Sequence, residues 1–174
     1  QFSTHRYTRI FRNHPQIKFS GRIHEQIRDS IENEGLKIIE SDIIIHHFGY
    51  NQSDKSKKVR NLEILQQESD KSQNDFYLKY HLANTEFSLK NFENAKNIFE
   101  EIVDSNLLSV EQNEMSKIRL AQINLSENNL NNAEKWLDFN CEDDNREGFR
   151  KFILAAIKLS NQDYEAARML YSND

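Results

Sequence analysis

One cysteine, one proline, one tryptophan and four glycines in 174 residues leave this chain short of the residues that staple, kink and turn a backbone. With Cys141 alone, an intrachain disulfide and a cysteine-rich zinc site are both excluded. Such sparing use of cysteine fits a reducing compartment, so the expected location is cytoplasmic, with membrane association only through partners. No stretch approaches the ~20 apolar residues of a membrane span, and no basic-then-apolar leader opens the sequence. The first residue is Gln rather than Met, and the expectation is a fragment of a longer protein. Pro15 and three of the four glycines precede Tyr50, so beyond that point only Gly148 interrupts what reads as continuous helical sequence.

Charge divides at nearly the same place. Residues 1–60 hold eleven Lys/Arg against seven Asp/Glu, whereas residues 61–174 hold twelve against twenty-one, giving halves of +4 and −9. A net-acidic second half argues against a protein that tracks phosphates along a nucleic acid, which needs a basic stripe. Its acids are read as solvated outer faces of helices.

Three pairs of alanines carry a repeat. Ala83 and Ala95, Ala121 and Ala133, and Ala155 and Ala167 are each twelve residues apart, and the pairs recur after 38 and then 34 residues. Phe92, Leu130 and Tyr164 stand three before the second alanine, and Phe99, Leu137 and Tyr171 stand four after it. Small residues at the alanine columns let two helices approach closely, and the large columns fill the space between one hairpin and the next. Asn91, Asn129 and Asp163 precede the second helix of each pair, where short polar side chains act as caps. Ahead of the array, Val59, Leu62 and Leu65 mark an amphipathic helix over 55–69.

These columns resemble the tetratricopeptide repeat (TPR), a helical hairpin of about 34 residues. The resemblance implies units near 76–109, 114–148 and 148–174, preceded by a capping and linker helix within 55–75. It also implies a wall formed by the first helices, presenting Tyr77, Tyr80, Asn84 and Phe87 from the first unit and Phe149 and Phe152 from the third, that holds a protein or peptide partner. The same residues have a plainer use, packing against neighbouring helices. Tyr80 stands where a lysine clamping a terminal carboxylate would be expected, which disfavours that mode of binding.

Residues before Tyr50 read differently. Arg6–Arg12 and Ile17–Phe19 alternate around the Asn13-His14-Pro15 turn, and Ile38-Ile39 and Ile43-Ile44-Ile45 add further β-favouring runs, so short strands are expected. Ile23, Ile27 and Ile31 recur every fourth residue up to Gly35, which predicts a helix between them. About fifty residues is small for an independent core.

The ordered motifs Arg9-Ile10-Phe11-Arg12-Asn13, Gly21-Arg22-Ile23-His24-Glu25, Ile45-His46-His47-Phe48-Gly49-Tyr50 and Lys58-Val59-Arg60-Asn61-Leu62 resemble the C-terminal end of a family 2 glycosyltransferase followed by tetratricopeptide repeats. That resemblance implies a mainly α chain: a helical-hairpin solenoid preceded, over residues 1–54, by a small α/β remnant of a GT-A domain. It implies that a nucleotide-sugar donor and a divalent metal, Mn or Mg, are used by the parent enzyme, with no cofactor and no turnover expected of the isolated fragment. The Asp-x-Asp element and the nucleotide-binding half of such enzymes do not occur in this sequence. Among the residues present, Glu25 would be the base that deprotonates the acceptor, with His24 orienting it or contacting the diphosphate, and His47 would complete a metal site. Arg9, Arg12 and Arg22 would offset donor phosphate charge. Blander readings stand beside these: His24-Glu25 as a surface capping pair, His47 as a hydrogen-bonded core histidine, and the arginines as surface ion pairs.

Two functions therefore compete: a glycosyltransferase fragment whose repeats bind an acceptor or partner protein, and a stand-alone repeat adaptor without enzymatic activity. A glycosidase needs two facing carboxylates, and only Glu25 stands in a suggestive context. His24-Glu25 lacks the second histidine of a metalloprotease motif, since Arg28 holds that place.

Overall fold

A computed structural model describes residues 8, 10–20, 27–44, 55–72 and 74–171, and eight helices lie among them. The chain divides into two compact units, Gln1–Asp54 and Lys55–Asp174. None of the helices is long and apolar enough to cross a membrane.

In the first unit the described residues hold one short helix, α1 (Arg28–Asn33). Ile27 and Ile31 bury against Ile17, with Ile38 packed on the edge. Ser30 Oγ accepts from the Lys18 backbone N–H at 3.2 Å and donates to the Ile27 carbonyl at 2.9 Å, which ties the preceding segment to the helix. Gly35 ends it at φ 69°, a left-handed conformation that a Cβ would strain, and the Leu36 N–H returns to the Ile31 carbonyl. The expected strands are corrected: among the described residues neither 10–12, 17–19, 38–39 nor 43–44 forms a strand, and only an isolated bridge at Ser20 appears. Runs of two or three β-favouring residues carry too few backbone groups to sustain a ladder without neighbouring strands to pair with. Ile10, Ile39, Ile43 and Ile44 are accordingly exposed, Ile39 to 89%.

The second unit is all helix: α2 (Lys55–Lys71), α3 (Phe76–Ser88), α4 (Phe92–Ser105), α5 (Val110–Ser126), α6 (Leu130–Lys135), α7 (Asp144–Ser160) and α8 (Tyr164–Tyr171). Consecutive helices pack on one another from α2 to α8, and α3, α5 and α7 also touch in sequence, forming a row. The α3–α4 hairpin is antiparallel, as an ion pair between Lys79 near the start of α3 and Glu101 near the end of α4 requires.

Both alanine columns lie at the helix crossings: Ala83, Ala95, Ala121, Ala133 and Ala155 are fully buried and Ala167 is 1% exposed. Phe99 and Leu137 fill the spaces between hairpins, whereas Tyr164 and Tyr171 at the last hairpin are exposed. Two apolar clusters result. One gathers Phe99, Ile102, Leu120 and Ile123, the other Ile118, Leu137, Ile153 and Ile157, and Trp136 packs against both.

The hairpin turn is built three times in the same way. Lys90, Asn128 and Gln162 take positive φ of 65°, 59° and 61°. The following N–H groups, of Asn91, Asn129 and Asp163, bond to the carbonyls of Glu86, Asn124 and Lys158 at 3.0, 2.8 and 2.9 Å, five residues back. That is the Schellman arrangement, which satisfies carbonyls the helix end would otherwise leave open.

Caps depart in part from expectation. Asn91, Asn129 and Asp163 do stand at the starts of the second helices, but only Asp163 caps with its side chain, accepting from the Ala166 N–H at 3.2 Å. Asn91 instead donates its amide to buried Glu86 at 2.6 Å, a stronger use because the acceptor is ionisable and desolvated. First helices begin earlier than the alanine columns indicate: Ser109 caps α5 in a capping box with Gln112, and Asp143 caps α7 by accepting from the Arg146 N–H at 3.0 Å. The sequence Ser109-Val110-Glu111-Gln112 carries that signal openly.

Candidate functional site

The row α3, α5 and α7 holds all six residues expected on a partner-binding wall. Four of them, Tyr77, Tyr80, Asn84 and Phe87, come from α3, whose 3.6-residue period brings them toward one side. Tyr77 is exposed and stacks edge-on against His81 at 4.5 Å, while Tyr80, Asn84 and Phe87 are half-buried. Asn84 is pinned by donating Nδ2 to the Tyr80 carbonyl at 2.8 Å. On α7, Phe149 packs into the second apolar cluster, while Phe152 is half-exposed and meets Tyr171 edge-on at 6.3 Å. Packing and exposure are thus shared within the set: Tyr80 and Phe87 lean on the core, and Tyr77 and Phe152 face solvent.

Between the two groups stands Arg119 of α5. Its guanidinium lies over the Phe87 ring, 4.7 Å from the centroid, and Nη1 donates to Gln122 Oε1 at 2.7 Å. Nε is buried without a hydrogen-bond partner, and no carboxylate among the described residues pairs with the charge. Burial pushes the Arg119 pKa down, with the nearby Tyr80 opposing, and burial raises the Tyr80 phenol. A cation held on an aromatic face, partly desolvated and without an anion, is a ready donor to an incoming carbonyl or carboxylate. Taking the wall from the first and third hairpins alone misses this residue. The middle hairpin supplies Arg119 in the column of His81 and Gln122 in the column of Asn84, so the same spacing finds both once α5 is included.

A second polar cluster joins the loop after α6 to α5 and α7. Buried Glu114 accepts from Arg146 Nε at 2.8 Å and from the Glu142 N–H at 3.1 Å. Arg150 pairs with Glu147 at 2.7 Å and donates to the Leu137 carbonyl, also at 2.7 Å. Its hydrogen bond holds the Glu147 carboxyl down to about 2. Burial, aided by the Glu114 and Glu147 charges, pushes the Cys141 thiol up to about 11, which makes it a poor nucleophile. With its charges matched internally, this cluster is a clasp for the loop.

The residues expected to carry sugar-transfer chemistry are placed otherwise. Arg9, Arg22, His24, Glu25 and His47 lie outside the described residues, and Arg12 is exposed. Among the described residues no group of three or more His, Cys, Asp or Glu is arranged to hold a metal ion, so no step is assigned to one.

Set against known proteins, the chain matches no family model and no curated protein.

Proposed function

We propose that the second unit is a protein-interaction array of tetratricopeptide-like hairpins that binds an extended, largely apolar segment of a partner along the row α3, α5 and α7. The observation that carries this reading is Arg119, a desolvated cation on the Phe87 ring with no anion of its own among the described residues and with Tyr80 close by. Apolar side chains of the segment would lie on Tyr77, Phe87 and Phe152, and one acceptor group would take the free edge of the guanidinium. The acidic charge of residues 61–174 disfavours a polyanionic partner, so a single carbonyl or carboxylate is the feature read at Arg119.

Selection of displayed random peptides against the chain tests this. Enriched peptides should be apolar with a single acidic or C-terminal acceptor, and Arg119→Gln should weaken them at least tenfold, about 1.4 kcal/mol. Enrichment of basic peptides, or binding indifferent to Arg119→Gln and Tyr77→Ala, would overturn the reading.

A second reading concerns the parent. The ordered motifs around Glu25 and His47 support descent of residues 1–54 from a GT-A glycosyltransferase using a nucleotide-sugar donor and a divalent metal, with the array positioning an acceptor or partner. Glu25→Gln in a parent enzyme carrying this segment should abolish transfer while donor binding persists. Unchanged transfer rates would remove Glu25 as the base.

A further inference from the structure

Four apolar columns recur where one hairpin stacks on the next. Tyr80, Phe87, Phe92 and Phe99 hold them in the first hairpin, and Ile118, Leu125, Leu130 and Leu137 hold them in the second. Both sets are covered. Leu120 and Ile123 of α5 join the first set in one apolar cluster, and Ile153 and Ile157 of α7 join the second in another. Phe99, Ile118 and Leu137 are thereby at most 1% exposed, and the remaining members are half-buried. The third hairpin carries Phe152, Leu159, Tyr164 and Tyr171 in the same columns, yet there all four are exposed, at 53%, 45%, 66% and 54%. A hairpin that ends an array has a polar outer face, whereas this one keeps the apolar face by which its predecessors stack.

Phe152 and Tyr171 meet edge-on at 6.3 Å, so α7 and α8 present their rings as one face. Roughly half of each side chain is open, which makes an apolar patch on the order of 400 Å². Two such patches with their polar rims bury about 1,000 Å², the lower end for a specific, dissociable interface.

Charge selects the occupant. Residues 144–171 hold five Lys/Arg against four Asp/Glu, whereas residues 61–143 hold seven against sixteen. The third hairpin is thus where two copies of this acidic array meet without repelling each other. Its charges also complement themselves. Glu165 and Arg168 stand three apart on one edge of α8, 3.8 Å from each other and 72% and 79% exposed. In an antiparallel pair of identical helices an edge meets the same edge of its partner, so each Glu165 faces the Arg168 of the other copy.

We infer that this face is a self-association surface: two copies of the chain pair about a two-fold axis, with α8 antiparallel to α8 of the second copy and α7 beside it on each side. The four apolar columns supply the buried area, and the crossed Glu165 and Arg168 pairs set the orientation.

Sedimentation velocity between about 1 μM and about 1 mM covers the affinities of an interface this small. A monomer–dimer equilibrium with no larger species is expected, because a two-fold contact closes on itself. Tyr164→Glu/Tyr171→Glu, at exposed positions, should leave only monomer with circular dichroism unchanged. Arg168→Glu places like charges opposite each other and should weaken the dimer at least tenfold, whereas Glu165→Arg/Arg168→Glu exchanges the two signs and should restore it. Phe152 also ends the partner-binding row, so it stays unaltered in every variant and loss of self-association is read separately from loss of partner binding. Monomer across the whole range, assembly growing beyond two copies, a dimer indifferent to the tyrosine variant, or no rescue by the exchanged pair would each overturn the proposal.

Discussion

Glu86 shows how a charge is kept inside this array. Buried between α2, α3 and α4, it is surrounded by three amide donors, Gln66, Asn91 and Asn94, rather than by a counter-ion. Amides supply hydrogen bonds without a second desolvated charge, which avoids the cost of bringing an ion pair indoors. Asn91→Ala should therefore destabilise the protein by about 1–3 kcal/mol, since the shortest of these bonds is lost and the carboxylate stays buried. Urea unfolding measures it, and a loss below about 0.5 kcal/mol would show that the amide bond contributes little net stability. Glu147 makes the corresponding statement about pH. Its carboxyl is depressed from 4.5 to about 2, mainly by the hydrogen bond from Arg150. The stabilisation is present above the unfolded value and is lost as pH falls toward the folded one. Glu147→Gln should remove roughly 2–3 kcal/mol at neutral pH and flatten the fall in stability between about pH 5 and pH 2, followed by urea midpoints across that window.

At the scale of elements, the hairpin is the repeated object, and its turn is its weakest local choice. Lys90 and Gln162 hold left-handed backbone that L-residues resist by roughly 1–2 kcal/mol, an amount partly offset by the extra freedom glycine has when unfolded. Lys90→Gly and Gln162→Gly should each raise stability by about 0.5–1 kcal/mol, whereas Asn128→Gly should change little because asparagine tolerates this region. Thermal melts of the three variants separate the cases. Overpacking the crossing acts in the opposite direction. Ala133→Leu adds bulk where α6 meets α5 with no free volume and should cost about 1–3 kcal/mol or more. These elements were legible because the alanine and aromatic columns recur at one period, and burial enforces that period. The capping box at Ser109 was missed, because it is a local signal that the alanine spacing does not contain, and that spacing alone reads residues 106–112 as loop. The exchange of Asn91 from cap to Glu86 partner was not legible either, since it depends on Gln66 and Asn94 meeting across three helices. Among the described residues before Tyr50 the alternating pattern marked β-favouring side chains, but a strand needs a partner backbone, and propensity alone does not supply one.

For the molecule as a whole, the row α3, α5 and α7 is continuous while α4 and α6 leave a gap, so the two sides of the array offer different chemistry. The α3, α5 and α7 side carries aromatic rings and a desolvated arginine, whereas the α4 and α6 side presents Lys96, Glu100 and Lys135. Part of the binding wall could be read from spacing in the sequence, because Tyr77, Tyr80, Asn84 and Phe87 share one helix. Arg119 gains its significance only from packing on Phe87 across two helices. The central claim is that partner segments bind along the α3, α5 and α7 row. It is tested most directly by titrating the isotopically labelled chain with a selected apolar peptide bearing one acceptor group and mapping amide and side-chain shifts. Shifts concentrated at Tyr77, Tyr80, Phe87, Arg119 and Phe152, and lost in Arg119→Gln, are expected; shifts confined to α4, α6 and α8, or unchanged in that variant, would contradict it.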